Sequence, residues 1–369
     1  MPSATVSSMA APIRKIGVAA YEIPTDAPES DGTLEWSATT LVTVHITAGN
    51  ETGFGYTYAH ASVAGLIRSL FADLLVGFDA FAIPEAHREM VKAIRNLGGS
   101  GLTSHAIAAV DIALWDLKAR LLQLPLHRLL GTARESVPIY GSGGFTSYDD
   151  TRLADQFGGW AAEGFTMMKM KVGREPERDP SRMNVARRAI GGANKLFIDA
   201  NGAFQAFEAV AFAERAAAFD VRWFEEPTSS DDLDGLRRVR DRAPGNMAIA
   251  AGEYGYRPEY FARMLAARSV DILQADASRC RGITGFLEVA ALCDAVGMPL
   301  SAHTAPSLHL AVCCAAPTVV HLEWFHDHVR IEEMLFEGAA RPEVGRLKPS
   351  DAPGMGVELR ISDAEQFAV

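Results

Sequence analysis

Apolar and polar residues alternate from Leu41 to Ala48. A turn follows at residues 49–53, and a second short run covers 54–58, so this stretch predicts a β-hairpin. Residues 26–33 are polar, contain Pro and Gly, and predict an exposed loop. Helical spacing takes over across 60–96, interrupted near Pro84. Thr103 or Ser104 is placed to cap a long helix reaching about Leu122, with Ile107, Val110, Leu114, Leu117 and Leu121 on one stripe. Residues 1–130 therefore predict an α+β domain.

From Val137 the pattern becomes short apolar strands alternating with amphipathic helices. The predicted strands are 137–142, 167–172, 195–199, 221–225, 247–251, 270–275, 298–302 and 319–323. The helices between them are about 149–163, 180–190, 205–219, 230–241, 257–268, 283–296 and 305–316. Eight strands with seven intervening helices predict a parallel α/β barrel, a TIM-like (β/α) barrel over residues 131–337. A doubly wound sheet is the rival. No GxGxxG follows an early strand, and Gly141, Gly143 and Gly144 do not open into a helix at the required distance. Residues 338–369 carry turn residues and short apolar runs, and are expected to fold back onto the first domain.

In a parallel barrel, chemistry gathers at the C-terminal strand ends. Those ends carry Lys169 and Lys171, Asp199 and Asn201, Glu225 and Glu226, Glu253, Asp276, His303 and Glu323. Asp199, Glu225 and Glu253 are 26 and 28 residues apart, one strand–helix unit each. Three converging carboxylates repel unless a cation lies among them, and an all-oxygen set suits a hard ion such as Mg²⁺. The alternative is three separate salt bridges. Lys169 and Lys171, two apart on a strand, point the same way. Two close ammonium groups depress each other's pKa, which would free one as a neutral base; the alternative is a pair that only neutralises the carboxylates. Asp276 and His303 lie on neighbouring strands, where a carboxylate orients and activates an imidazole. His60 could reach the site from the first domain; the remaining histidines carry no comparable argument.

Composition narrows the class. The chain has 369 residues, 48% hydrophobic, 22% charged and 8% aromatic, with a net charge of −11. An acidic chain without a basic stripe is a poor nucleic-acid binder. No apolar run reaches the ~18 residues of a membrane span. The first fifteen residues lack the basic-then-apolar order of a signal peptide. Cys280, Cys293, Cys313 and Cys314 show no CxxC spacing, and reduced, buried thiols in a cytoplasmic protein are expected. The expected partners are a small-molecule carboxylate and further copies of the chain, with no nucleic acid and no membrane.

Together, the segment Asp111-Ile112-Ala113-Leu114-Trp115-Asp116, the Lys169-Met170-Lys171 triplet, and the DANG, FEEP, AGE, QAD and LSAH segments at residues 199–202, 224–227, 251–253, 274–276 and 300–303 resemble the enolase superfamily, mandelate racemase subgroup. The resemblance implies an α+β capping domain over a modified TIM barrel, (β/α)7β. It implies Mg²⁺ held by Asp199, Glu225 and Glu253, with Glu226 outside the ligand set. Lys171 matches the lysine base and Lys169 its partner. Asp276 and His303 match a second acid–base dyad. Glu323 matches a carboxylic acid that hydrogen-bonds the substrate carboxylate, and Asn201, Lys169 and Glu323 are the expected substrate contacts. The capping segments 22–36 and 54–62 should choose the substrate and match no pattern of known specificity.

The implied chemistry is removal of the proton α to a carboxylate, through an enediolate stabilised by Mg²⁺ and Lys169 on one side and a protonated Glu323 on the other. Lys171 and His303 on opposite faces permit dehydration of an acid sugar to a 2-keto-3-deoxy acid, which is the leading expectation. Racemisation or epimerisation of a 2-hydroxy acid, and lactone cycloisomerisation, use the same residues. A non-catalytic binding member would not need the full set. A Schiff-base aldolase would not need three metal carboxylates.

Overall fold

The computed structural model describes residues 10–369. Residues 1–9, part of the segment read for a targeting signal, lie outside the described residues. The chain opens with an antiparallel sheet, β1 (Ile13–Ser30), β2 (Glu35–Ala48) and β3 (Glu51–Tyr58), in the order β1-β2-β3. The hairpin turn is tighter than expected, because Ala48 already faces Glu51. Residues 26–33 are not an exposed loop. β1 continues to Ser30 after a register shift between Pro24 and Glu29, and Glu29, Ser30 and Asp31 are buried. The segment meets the barrel rather than solvent: Ser30 Oγ is 2.6 Å from Thr146 Oγ1, which in turn donates to Asp31 O at 2.9 Å.

The helical stretch breaks at residues 76–82, ahead of Pro84. Pro84 lies in the first turn of the helix Ile83–Ala93, where its missing N–H costs nothing. The long helix runs Leu102–Leu121. Gly101 precedes it, and neither Thr103 nor Ser104 caps it: their hydroxyls donate to Gly98 O and Tyr256 O. Nor is it a one-stripe helix, since 15 of its 20 residues are buried between the cap sheet and the barrel. β3 comes close enough on one side that a Cβ at Gly55 would sit 2.3 Å from Ala109 O.

Eight parallel strands form the barrel: β4 (Val137–Gly143), β5 (Met167–Lys171), β6 (Lys195–Asp199), β7 (Val221–Glu225), β8 (Ala248–Ala251), β9 (Ile272–Ala275), β10 (Leu300–Ala302) and β11 (Val319–Phe325). They pair in sequence order, and β11 pairs with β4 to close the ring, which excludes the doubly wound sheet. Tyr140, Phe197, Trp223 and Ala250 fill the interior below the strand ends. A further helix, His326–Leu335, follows β11 and was not foreseen from the sequence. Beyond it, Arg346–Leu347 pairs antiparallel with β4, while Ala368 bridges to Tyr21 on β1. No helix among the described residues is long and apolar enough to cross a membrane.

Candidate active site

The barrel places eight titratable side chains around one point, Lys169, Lys171, Asp199, Glu225, Glu253, Asp276, His303 and Glu323, because adjacent parallel strands end at the same level. Asp199 pairs in register with both Lys171 and Glu225. Glu253 and Asp276 follow the last residues of β8 and β9, and His303 follows β10. All are buried, with Lys169 only 1% and His303 6% exposed.

Lys169 Nζ lies 2.6 Å from Glu225 Oε1, 2.7 Å from Glu323 Oε1 and 3.5 Å from Asp199 Oδ2. Burial works against its charge, but Glu225 and Glu323 outweigh burial and hold the ammonium well above its ordinary pKa. Lys171 Nζ donates to Asp199 Oδ2 at 2.6 Å and to Asn201 Oδ1 at 3.0 Å. Its pKa is raised: burial and Lys169 lower it, and Asp199, Glu253 and Asp31 together more than offset both. The expected depression by a neighbouring ammonium is therefore overturned in this arrangement, because a carboxylate in contact dominates. Glu323 also departs from expectation. Burial favours its protonated form, but Lys169 and His303 pull it down to about 2, so it is ionised rather than a carboxylic acid.

Asp199, Glu225 and Glu253 each offer an oxygen, and these oxygens all lie within 4.8 Å of one another. Burial, then the charge of Asp199, pushes Glu225 up to about 8. Glu253 Oε2 touches His303 Nε2 at 3.1 Å but has no partner with hydrogen-bond geometry. A buried cluster of oxygens, one of them unpartnered, with ammonium groups at its edge and no thiolate, fits a hard divalent cation. Glu226 lies outside this trio. A second His–carboxylate group, Asp26, Glu29 and His326, lies outside the cavity, with Asp26 already paired to Arg152 at 3.0 Å.

His303 Nδ1 is 2.8 Å from Asp276 Oδ2. Burial and Arg279 oppose its charge, and Glu253, Glu323 and Asp276 override them, raising it to about 9. His309 supports this dyad. Ala277 N donates to its Nε2 at 2.7 Å, so Nδ1 carries the proton and donates to Ala305 O.

Lys171, Asn201, Glu253, Asp276 and His303 line one cavity of about 660 Å³ beneath the cap. The capping segments contribute Asp31, Leu34, Trp36, Tyr58 and His60 to its walls. Tyr56 does not reach it; it is buried and donates to Glu332 Oε1 at 2.8 Å. Sequence reasoning missed Arg279 and His328. Arg279 Nη1 is 3.3 Å from Glu253 Oε1 and its Nε 3.5 Å from Asp276 Oδ2. Its position three residues after Asp276 was the available signal. His328 stacks on Tyr58 with ring centres 3.5 Å apart, and burial drops it to about 3. Its signal was absent, because the helix that carries it was not foreseen.

A closed parallel barrel with a carboxylate trio, two lysines and a His–Asp pair under an α+β cap defines a class of barrel enzymes that handle protons next to a carboxylate. Residues 18–131 match the mandelate racemase/muconate lactonizing enzyme N-terminal domain, and residues 152–364 match the enolase C-terminal domain-like family. The chain belongs to the mandelate racemase/muconate lactonizing enzyme family of the enolase superfamily.

The chain is 34% identical over 336 residues to a 3,6-anhydro-alpha-L-galactonate cycloisomerase of Streptomyces coelicolor, covering 89% of this chain and 91% of the relative. It is 31% identical over 320 residues to an L-talarate/galactarate dehydratase of Salmonella typhimurium, covering 83% and 76%. It is 27% identical over 358 residues to an arabinonate dehydratase of Saccharolobus solfataricus, covering 93% and 94%. Among solved structures, a mandelate racemase/muconate lactonizing enzyme-like protein from Rubrobacter xylanophilus superposes with a TM-score of 0.95 at 49% identity, covering 97% of this chain and 100% of that one. A racemase from Streptomyces coelicolor with bound magnesium superposes with a TM-score of 0.91 at 32% identity, over the same shares.

Proposed function

We propose that this chain is a Mg²⁺-dependent enzyme that removes the proton α to a carboxylate, and that its net reaction dehydrates an acid sugar to a 2-keto-3-deoxy acid. The observation that carries this is one cavity beneath the cap lined by Lys171, Glu253 and the Asp276–His303 dyad, with Asp199, Glu225 and Lys169 in direct contact with one another and with that lining. Asp199, Glu225 and Glu253 would hold the ion. When bound, Mg²⁺ supplies positive charge that binds the substrate carboxylate and acidifies the neighbouring C–H.

The remaining work falls to the chain. Lys169, held as an ammonium, donates to the substrate carboxylate. Asn201 lines the cavity and orients the substrate, with Glu323 behind the lining, against Lys169 and Thr304 N. Lys171 is the base: with a cation on Asp199 its ammonium would give up a proton to solvent, and the neutral amine so formed would take the α-proton. His303, held protonated and oriented by Asp276, gives its proton to the departing β-hydroxyl, and the enol that remains becomes the keto acid.

Dehydratases among the relatives support this reading. The cycloisomerase at 34% identity favours a second reading in which the same bases open or close a ring at the β-carbon. Screening a library of acid sugars for 2-keto acid formation, with and without EDTA, tests the proposal. Metal-independent turnover, or product with no loss of water, would reject it. The four cysteines, buried and unpaired, support a cytoplasmic enzyme. Assembly with copies of itself is expected, and light scattering after size exclusion checks it.

A further inference from the structure

The two ends of the cavity differ in charge. At the catalytic end the cavity floor reaches Lys171, Glu253 and His303, where the ion held by Asp199, Glu225 and Glu253 would take one substrate carboxylate. Toward the cap, the walls are Leu34, Trp36, Thr40, Tyr58 and His60, and the one acidic side chain there is Asp31. The lysine and arginine lining the cavity, Lys171 and Arg279, both sit at the strand ends among the catalytic carboxylates. Lys171 contacts Asp199 and Asn201, and Arg279 contacts Glu253 and Asp276. Among the described residues no other Lys or Arg lines it. His60 Nδ1 accepts from Ser62 N, which leaves it one N–H at the exposed rim.

Asp31 is fixed in place. Its Oδ1 accepts from Thr33 N at 2.6 Å and Leu34 N at 2.7 Å. Next to it, Gly32 lies so close to the strand ends that a Cβ would sit 2.4 Å from Ala200 O. The segment is therefore docked in the barrel mouth, and its carboxylate does not swing away. A second substrate carboxylate at this end would lose water, meet no lysine or arginine beyond the two at the catalytic strand ends, and face Asp31. A hydroxylated tail, by contrast, finds acceptors and hydroxyls in Asp31, Thr40 and Tyr58.

We propose that the substrate carries a single carboxylate and an uncharged polyhydroxy tail, and that Asp31 is the residue selecting against a second carboxylate. This rests on the acid-sugar reading above and narrows it: relatives whose names include both arabinonate and galactarate span one and two carboxylates, and this pocket takes the first kind.

The test is equilibrium binding to the Mg²⁺-loaded His303→Asn variant, in which turnover is suppressed. Pairs of aldonates and aldarates of the same configuration differ only in the terminal group. The best aldonate should bind at least about 100-fold tighter than its aldarate partner. Asp31→Asn keeps the Oδ1 acceptor and the turn but removes the charge, so in that background the gap should shrink at least tenfold. An aldarate that binds as tightly as its partner overturns the proposal. So does a gap unchanged by Asp31→Asn in a variant that folds and binds Mg²⁺ normally. If no sugar acid binds while simple 2-hydroxy acids do, the acid-sugar reading fails. The single-carboxylate selection is then read from mandelate-type acids against their dicarboxylate counterparts.

Discussion

Glu225 joins three interactions that no motif describes. Its Oε1 accepts from Lys169, its Oε2 accepts from Trp223 Nε1 at 2.9 Å, and its oxygens meet those of Asp199 and Glu253. Glu225→Gln keeps the volume and removes the charge. It should abolish Mg²⁺ binding and turnover while leaving the far-UV circular dichroism unchanged; calorimetric titration with Mg²⁺ checks this. The two bases separate by a different measurement. His303→Asn should lower turnover by ~10²–10⁴-fold, the usual worth of general acid–base catalysis. It should still exchange the substrate α-proton with D₂O, whereas Lys171→Ala should not. The opposite pattern by NMR would reverse the roles. Side-chain identities at these positions were legible from the sequence, but protonation states were not. Lys171 and Glu323 are both ionised here because each touches a partner of opposite charge, a contact created only by the closed barrel.

The long helix Leu102–Leu121 ties cap to barrel at its core. Asp111 accepts from Thr284 Oγ1 at 2.6 Å and Thr284 N at 3.0 Å, holding the first turn of the helix Gly282–Val296. Asp116 accepts from Phe54 N, Arg120 Nε and Met355 N, joining β3 to the C-terminal segment. The acidic pair in the Asp111–Asp116 motif is thus structural. Across the same helix, β3 packs through Gly53 and Gly55. At Gly55 an added Cβ would meet Ala109 O at 2.3 Å and Ala113 N at 2.5 Å, both backbone atoms that cannot rotate aside. Gly55→Ala should cost roughly 3 kcal/mol, the upper end of ordinary overpacking, visible as a lower urea midpoint. A shift within error would mean that the sheet slides off the helix freely.

At the scale of the molecule, cap and barrel share one apolar cluster, with Tyr21, Ile23, Leu41, Phe54 and Tyr56 in contact with barrel residues. Glu332, on the helix after β11, is buried in this seam and accepts from Tyr56 Oη and Ser307 N. Burial raises it from 4.5 to about 7 against those hydrogen bonds. Between these values the folded state keeps a proton that the unfolded state has lost. Stability should therefore fall as pH rises from about 4.5 to 7, with a penalty on the order of 3 kcal/mol complete above that window. Glu332→Gln should flatten that part of the urea-midpoint profile between pH 5 and 8. An unchanged profile would show that Glu332 ionises at its ordinary pKa.

The alternation of strand and helix from Val137 onward, and the acids, lysines and histidine at the strand ends, were legible because a parallel barrel repeats one local unit. In such a unit the strand period alone decides which residues reach the mouth. The trio Asp199, Glu225 and Glu253, the Lys169–Lys171 pair and the Asp276–His303 pair are therefore visible in one dimension. The rest depended on surfaces meeting across long sequence separations. Residues 26–33 read as a solvent loop because polarity does not say whether its partner is water or a barrel rim; Gly32 and Asp31 acquire their roles only against Val172 and Ala200. The helix Leu102–Leu121 read as amphipathic because its second buried face is covered by the other domain, through the barrel helix Gly282–Val296. Arg279, His328 and the charge state of every group in the cavity follow from distances, and distances are set only when the ring of strands closes and the cap is seated on it.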